Sequence, residues 1–146
     1  MAPDSVLLRL AGILSHLARL WHVTFDVELN AAHVRITATD ASFSEICFNL
    51  IRNAIEAVRD SPTPRVHVTS AIVDELWIVT ISDNGPGIDA AMRDAMFQPF
   101  VTGKSDGTGL GLYIVSERVA ELHGRIQCRS GNDRGTVFEV SLPVAI

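Results

Sequence analysis

Two pairs of short segments with alternating apolar and polar residues place the strongest constraint on the fold of this chain. Val66–Ile72 and Leu76–Ile81 are joined through Asp74–Glu75. Arg125–Ser130 and Thr136–Leu142 flank a short glycine-bounded turn in the same way. A side-chain period of two predicts half-buried strands. Connections as short as these two join neighbouring strands that run antiparallel. The pattern therefore favours an antiparallel α+β fold over a strict βαβ alternation.

Helical periodicity predicts most of the remaining chain. Apolar residues recur at helical spacing from Ser5 to Trp21, and a second helix is expected to run from a cap at Ser42 or Ser44 to Arg59. The other predicted elements are strands at Val23–Leu29 and Val34–Ala38, a short helix at Asp89–Met96, a loop at Phe97–Thr108 and a helix at Gly109–His123.

The size and composition are those of one folded domain. The 146 residues are 47% apolar and 20% charged, which is enough for a core without covalent staples. The net charge of −5 argues against a nucleic-acid-binding surface, which needs a basic patch. No apolar run reaches the ~18 residues of a spanning helix. We therefore expect a soluble cytoplasmic domain that contacts neither nucleic acid nor membrane.

The cysteines and histidines do not form a pattern typical of metal sites. Cys47 and Cys128 are far apart and stand in apolar surroundings, so both are expected to be buried, reduced thiols. The five histidines lack the paired spacing of a zinc site.

The second predicted helix carries an unusual polar face. Glu45, Asn49 and Asn53 follow one another at intervals of four, so they share one side of the helix. Asparagine is disfavoured inside helices because its side chain competes for backbone hydrogen bonds. Two asparagines one turn apart indicate a ligand site, and the simpler alternative is a solvated polar face. The helix alone leaves both open.

A turn-forming segment follows the strand Leu76–Ile81. Residues 82–88 contain Asp83, Asn84, Gly85 and Gly87, and a simple hairpin is excluded because a proline and a glycine follow where a second strand would begin. The two glycines permit a close approach of the backbone to a ligand. A carboxylate at the end of a strand can accept a hydrogen bond from an exocyclic amine.

The segment Gly107–Leu112 places three glycines at the start of the last helix. Free amide groups and the helix dipole at such a start favour a phosphate. The segment matches none of three familiar phosphate-binding motifs. A Rossmann fingerprint needs G-x-G-x-x-G after a strand, a Walker loop needs a glycine where Gln98 stands, and a protein-kinase loop needs H-R-D and D-F-G partners.

The loop before these glycines adds two features. Phe97 and Phe100 stand three residues apart, which is also the pattern of two ordinary core anchors. Lys104 is either a solvated lysine or an ammonium placed to meet a terminal phosphate.

In this order, the segments resemble the catalytic ATP-binding domain of sensor histidine kinases, within the superfamily that includes Hsp90, gyrase and MutL. The motifs that carry the resemblance are an N box at Asn49–Ala57, a G1 box at Asp83–Gly87, an F box at Phe97–Phe100 and a G2 box at Gly107–Leu112. Gly135 and Thr136, followed by Phe138, are similar to the last glycine box. The lid, Phe100–Thr108, most resembles those of nitrogen-regulation and oxygen-sensing kinases.

The resemblance implies a two-layer α/β sandwich. Its mixed, mainly antiparallel sheet would have about five strands backed by three helices. Residues 23–146 would form the catalytic ATP-binding domain. Residues 1–22 would form a helix that is either the first element of this domain or the tail of a dimerisation helix.

The resemblance also implies the roles of the site residues. ATP would lie between the helices and the lid, with Asp83 accepting from the adenine amine and Asn53 coordinating Mg²⁺. Asn49 and Lys104 would be the catalytic residues, Asn49 supporting the phosphates or the metal shell and Lys104 holding the terminal phosphates. The other implied nucleotide contacts are Gly85, Gly87, Phe97, Phe100, Gly107, Thr108, Gly109, Leu110, Gly111 and Thr136.

The implied reaction is transfer of the ATP γ-phosphate to a histidine on a separate dimerisation and phosphoacceptor domain, with a response regulator downstream. No histidine of this chain stands in a phosphoacceptor motif. Slow hydrolysis is expected because Asn49 occupies the position where the related ATPases carry an acidic general base, and Glu45 is an imperfect substitute. The alternatives are a non-catalytic ATP-binding module and an anti-sigma-type serine kinase.

Overall fold

The computed structural model describes residues 1–99, 111–131 and 134–145. Its elements, in chain order, are α1 (Pro3–Leu20), β1 (Thr24–Leu29), α2 (Asp40–Val58), β2 (Arg65–Val73), β3 (Leu76–Asp83), α3 (Ala90–Ala95), α4 (Gly111–Glu121), β4 (Arg125–Ser130) and β5 (Thr136–Pro143). Most of the predicted loop at Phe97–Thr108 lies outside the described residues.

The five strands form one sheet in the order β1-β2-β3-β5-β4. Strand β1 runs parallel to β2, and the other neighbouring pairs are antiparallel. The β3–β5 register places Asp83 opposite Thr136. The mixed, mainly antiparallel sheet and the two-layer architecture confirm the predicted fold.

The core lies between the sheet and helices α1, α2 and α4. Trp77 and Ile81 of β3 point into it, and Phe43 of α2 meets Trp77 edge to face, with ring centroids 5.3 Å apart. Such a contact stabilises by about 0.5–1.5 kcal/mol beyond simple burial. The other face of β4 carries the exposed side chains of Arg125 and Arg129. Because the helices cover one face of the sheet, a ligand site that uses both layers must lie on that side.

Helix α1 is anchored to the sheet through a buried carboxylate. Asp4 is 4% exposed, and its two oxygens accept hydrogen bonds from Trp77 Nε1 (2.8 Å), Ser70 Oγ (2.9 Å) and the backbone amide of Ala31 (2.8 Å). These donors lie 27 to 73 positions away in sequence. The sequence pattern predicted the helix but not this anchor.

Several local predictions were wrong. Val34–Ala38 alternates in burial as a strand would, yet only Ile36 pairs, in an isolated bridge to Val144. Helix α2 is capped by Thr39, whose side chain accepts from the amide of Ser42, so neither Ser42 nor Ser44 is the cap. Helix α4 ends at Glu121, two residues before the predicted His123.

The two cysteines differ in burial. Cys47 is fully buried, as predicted, whereas Cys128 on the edge strand β4 is only half-buried. Burial raises the pKa of both thiols, that of Cys128 to about 11. Both are free thiols, and burial keeps them protonated near neutral pH. Among the described helices, none combines the length and apolar character that crossing a bilayer requires.

Candidate functional site

The end of β3 presents a buried carboxylate. Asp83 is 7% exposed, its Oδ1 accepts from the amide of Gly85 at 2.9 Å, and a second hydrogen bond comes from the backbone of Thr136. Burial raises the pKa of Asp83, and these two bonds partly oppose that shift. A carboxylate has about four acceptor positions. Asp83 therefore keeps acceptor capacity for a further donor.

Two glycines let the backbone pack tightly around Asp83. Gly135, with φ +89°, lies against the Asp83 backbone so closely that a side chain there would collide with the Asp83 carbonyl oxygen. A Cβ on Gly85 would lie 2.9 Å from the carbonyl oxygen of Ala57, at the end of α2. The turn after β3, the β4–β5 hairpin and α2 thus converge on one carboxylate.

Asn84 fixes this turn from the other side. Its Oδ1 accepts from the amide of Arg65 at 2.8 Å, and its Nδ2 donates to the carbonyl oxygen of Thr63 at 2.6 Å. The turn is thereby held to the start of β2. Sequence reasoning identified a turn at Asn84 but not these partners, because nothing in the local pattern reports a contact 19 positions away.

The polar face of α2 lies against the start of α4. Asn49 Nδ2 donates to the backbone carbonyl oxygen of Glu45 at 2.7 Å. Its Oδ1 lies 3.8 Å from the position that a Cβ on Gly111 would occupy. Asn53, one turn later, is half-buried. The structure therefore brings Asn49 of the N box beside the last glycine of the G2 box, and Asn53 lies one turn further along the same helix.

The described residues just before the predicted lid are packed on the sheet. The Phe97 ring meets Phe138 of β5 edge to face, with centroids 6.2 Å apart. Met96 beside it is buried. Arg93 of α3 donates to Ser130 Oγ of β4 at 3.4 Å. These contacts hold residues 93–97 to β4 and β5, and β5 is the strand that pairs with Asp83.

The remaining predicted site residues lie outside the described part of the chain. They are Phe100, Lys104, Gly107, Thr108, Gly109 and Leu110. Gly87, in contrast, is described. It takes φ +82°, and a Cβ there would lie 3.4 Å from the carbonyl oxygen of Gly135.

A concavity of about 850 Å³ at the other end of the sheet is a competing location. Val34, Ile72 and Val144 are among its lining residues. None of the predicted site residues lines it. We expect the site at the Asp83 end, where a buried acceptor and close backbone approaches lie beside the C-terminal end of the helix that carries both asparagines.

Comparison with known proteins finds one matching family and several similar sequences. Residues 38–146 match the family described as Histidine kinase-, DNA gyrase B-, and HSP90-like ATPase. The chain is 42% identical over 101 residues to the C4-dicarboxylate transport sensor protein DctB of Rhizobium meliloti, covering 69% of this chain and 16% of DctB. It is 30% identical over 159 residues to the sensory histidine kinase/phosphatase NtrB of Rhizobium leguminosarum bv. phaseoli, covering 92% of this chain and 40% of NtrB.

A solved structure agrees over the whole fold. The catalytic domain of the histidine kinase ThkA superposes with a TM-score of 0.88 at 26% identity, covering 98% of this chain and 93% of that one. The chain therefore spans well under half of the curated sensor proteins named above, but nearly all of a solved kinase catalytic domain. It belongs to the family of histidine kinase-, DNA gyrase B- and HSP90-like ATPases.

Proposed function

We propose that this chain is the ATP-binding catalytic domain of a sensor histidine kinase and transfers the γ-phosphate of ATP to a histidine that another domain supplies. The observation that carries the proposal is that one helix, α2, contacts the turn after buried Asp83 at its C-terminal end and the start of α4 at Asn49. Membership in an ATPase family makes a nucleotide the ligand class. DctB and NtrB are themselves sensor proteins, which supports the kinase assignment.

Asp83 would select the base. Its free acceptor capacity suits the exocyclic amine of adenine, which donates, and opposes the carbonyl that guanine carries at the same position. Gly85, Gly87 and Thr136 would line the base through their backbone or hydroxyl groups. Phe97 would anchor the lid over the nucleotide, a role consistent with its contact to Phe138.

Asn49 and Asn53 would act at the phosphate end. Mg²⁺ is usually held by one or two protein oxygens together with phosphate oxygens and water. The amide oxygen of Asn53 fits that requirement, and when bound the ion would neutralise charge on the transferring phosphate. Asn49, which faces Gly111, would orient the phosphates. Phe100, Lys104, Gly107, Thr108, Gly109 and Leu110 keep their lid and phosphate roles as part of this proposal.

Glu45, the acidic residue one turn before Asn49, is held by an arginine. Glu45 Oε2 is bound to Arg118 at 3.2 Å, and an amide such as Asn49 cannot take a proton at neutral pH. The domain would therefore bind and orient ATP without hydrolysing it efficiently. The nucleophile would be the histidine that another domain supplies. This supports phosphotransfer over hydrolysis.

We also propose that α1 is the first element of this domain rather than a separate tail. The buried Asp4 anchor ties α1 to the sheet and to the segment after β1. The ThkA catalytic domain matches 98% of the chain, a share that includes most of α1. The target histidine, a downstream response regulator and a cytoplasmic location belong to the same proposal.

Two linked measurements test the proposed function. Calorimetry should show Mg²⁺-dependent ATP binding by the wild type and much weaker binding by Asp83→Asn. Adding a phosphoacceptor domain in trans should then give acid-labile phosphate on histidine. Absence of binding, or equal binding by the variant, would contradict the site. Acid-stable product would favour a serine kinase, and binding without any transfer would favour a non-catalytic module.

A further inference from the structure

Arg118 joins the two helices of the site through a pair of carboxylates. Its Nε donates to Glu45 Oε2 of α2 at 3.2 Å, and its Nη1 donates to Glu121 Oε1 of α4 at 2.9 Å. The side chains of Arg118 and Glu45 are 36% and 38% exposed. Neither Arg118 nor Glu45 belongs to a glycine or asparagine motif, and the sequence alone did not pair them.

The position of this ion pair relates it directly to the site. Glu45 lies one turn before Asn49, and its backbone carbonyl accepts the Asn49 amide at 2.7 Å. On α4, Arg118 lies about two turns after Gly111, which faces Asn49. The helices therefore run antiparallel here, with Asn49 close to Gly111 at one level and the Glu45–Arg118 ion pair at another.

Two separated contacts restrict α4 more than one contact would. The apolar interface, which includes fully buried Val115 and Val119, holds the helices together but permits small rolling and sliding. The Glu45–Arg118 ion pair reduces that freedom. The direction of the first turn of α4 relative to Asn49 then depends on the ion pair.

We propose that Glu45 and Arg118 form an interhelical clamp that positions the phosphate-binding end of α4 against Asn49. The inference rests on the proposed nucleotide function and assigns both as positioning residues, because neither contacts the nucleotide in that proposal. Glu121 holds the guanidinium from within α4, so that Nε faces Glu45. Only arginine offers a planar fork that can bind both carboxylates at once.

The clamp should strengthen the binding of the phosphates and leave the binding of the base unchanged. Adenosine would contact the Asp83 end alone, whereas ATP would also contact α4. A partly exposed ion pair contributes modestly and is screened by salt, so a loss of about two- to five-fold in ATP affinity at low salt is expected. If the ion pair had a purely structural role, its loss would lower thermal stability without weakening ATP more than adenosine.

The test compares ATP and adenosine affinities by calorimetry in the wild type and three single variants. Glu45→Gln should weaken Mg-ATP by about two- to five-fold, spare adenosine, and lose this difference at high salt. Glu121→Gln, which breaks only the contact within α4, should have a smaller effect. Arg9→Gln should have none, because the Arg9–Asp40 pair joins α2 to α1 near the N-terminal end of α2.

A double variant provides the decisive comparison. If the two groups act as one clamp, Glu45→Gln combined with Arg118→Gln should weaken ATP no more than Arg118→Gln alone. Additive losses, equal losses for ATP and adenosine, or an unchanged Glu45→Gln variant would each overturn the clamp. A wild type that binds neither ligand would instead overturn the proposed function, and the clamp with it.

Discussion

At the scale of single residues, the chemistry of the site depends on how Asp83 is buried. Among the described residues its carboxylate forms no ion pair, and backbone amides of Gly85 and Thr136 supply its hydrogen bonds. The sequence placed this acid at the end of a strand and indicated an amine as its partner. The sequence did not show its burial, because the hairpin that packs against Asp83 through Gly135 lies more than 50 positions later.

Asp83→Asn should abolish most nucleotide affinity without unfolding the domain. The amide oxygen can still accept from Gly85, whereas the new amide NH₂ would oppose the adenine amine. We expect at least a ten-fold loss of ATP affinity by calorimetry, and a melting temperature close to that of the wild type. Asp94→Asn, on an exposed position of α3, is the matched control and should bind ATP normally.

The raised pKa of Asp83 predicts a pH effect. Because burial raises the pKa in the folded state, the native carboxyl takes up a proton at a higher pH than the unfolded chain does. Its contribution to stability is therefore largest at low pH and falls as pH rises from the ordinary value of 3.8 through the native pKa. Thermal unfolding of the wild type relative to Asp83→Asn should follow this direction.

Nucleoside affinity should depend on pH in the direction opposite to stability. Protonation turns one acceptor oxygen of Asp83 into a hydroxyl donor, so adenosine affinity should fall on acidification, with a midpoint above 3.8. Adenosine carries no phosphate that titrates, and the protonation of its own base at N1 is measured separately on free adenosine and subtracted. A midpoint at or below the ordinary aspartate value would contradict the role given to Asp83.

Asn49→Glu should convert slow ATP turnover into faster hydrolysis. A carboxylate at this position could accept a proton from water, and general-base catalysis contributes about 10²–10⁴-fold where the geometry is right. We expect at least a ten-fold rise in phosphate release, and no rise for Asn49→Gln, which keeps the amide. Fast turnover by the wild type would contradict this account of Asn49.

At the scale of elements, the sequence predicted those strands and strand pairs that show a clear side-chain periodicity and a short connection. The β2–β3 and β4–β5 pairs formed as expected, because alternation and brief connections determine both strand type and pairing. Val34–Ala38 shows the limit of that reasoning. Its alternation correctly reports burial on one side, but a strand also needs a partner, and only Ile36 has one.

The contact between the hairpin and the turn after β3 should be sensitive to one methyl group. Gly135→Ala introduces a Cβ at φ +89° and against the Asp83 carbonyl oxygen, so we expect a loss of at least about 1–3 kcal/mol in the free energy of unfolding. Urea denaturation measures this. Gly12→Ala, in a helix with open space around it, should stabilise by about 0.5–1 kcal/mol. Equal effects of the two substitutions would argue against the close approach.

At the scale of the whole molecule, the helices cover one face of the sheet and the proposed site lies at one end of that layer. The sequence located the motifs, but it could not show the long-range contacts that assemble them. Asp4 reaches Trp77 across 73 positions, and Arg118 reaches Glu45 across the same separation. Such pairs carry no local periodicity, so structure alone reveals them.

The buried anchor of α1 predicts that this helix is needed for folding. Asp4→Ala would leave Trp77 Nε1, Ser70 Oγ and the Ala31 amide without their acceptor, at a cost of about 3 kcal/mol. Urea denaturation should show this loss, and Ser5→Ala on the exposed side of α1 should leave stability nearly unchanged. An equally small effect of both changes would favour α1 as a separate tail.

The central claim is that ATP binds between α2 and the end of β3. The most direct measurement is a two-dimensional amide NMR titration with ATP and Mg²⁺. The amide signals of Asp83, Gly85 and Gly87 should shift, while that of Gln127, on the far face of β4, should remain in place. Shifts confined to the far face, or no shifts at saturating ATP, would contradict the claim.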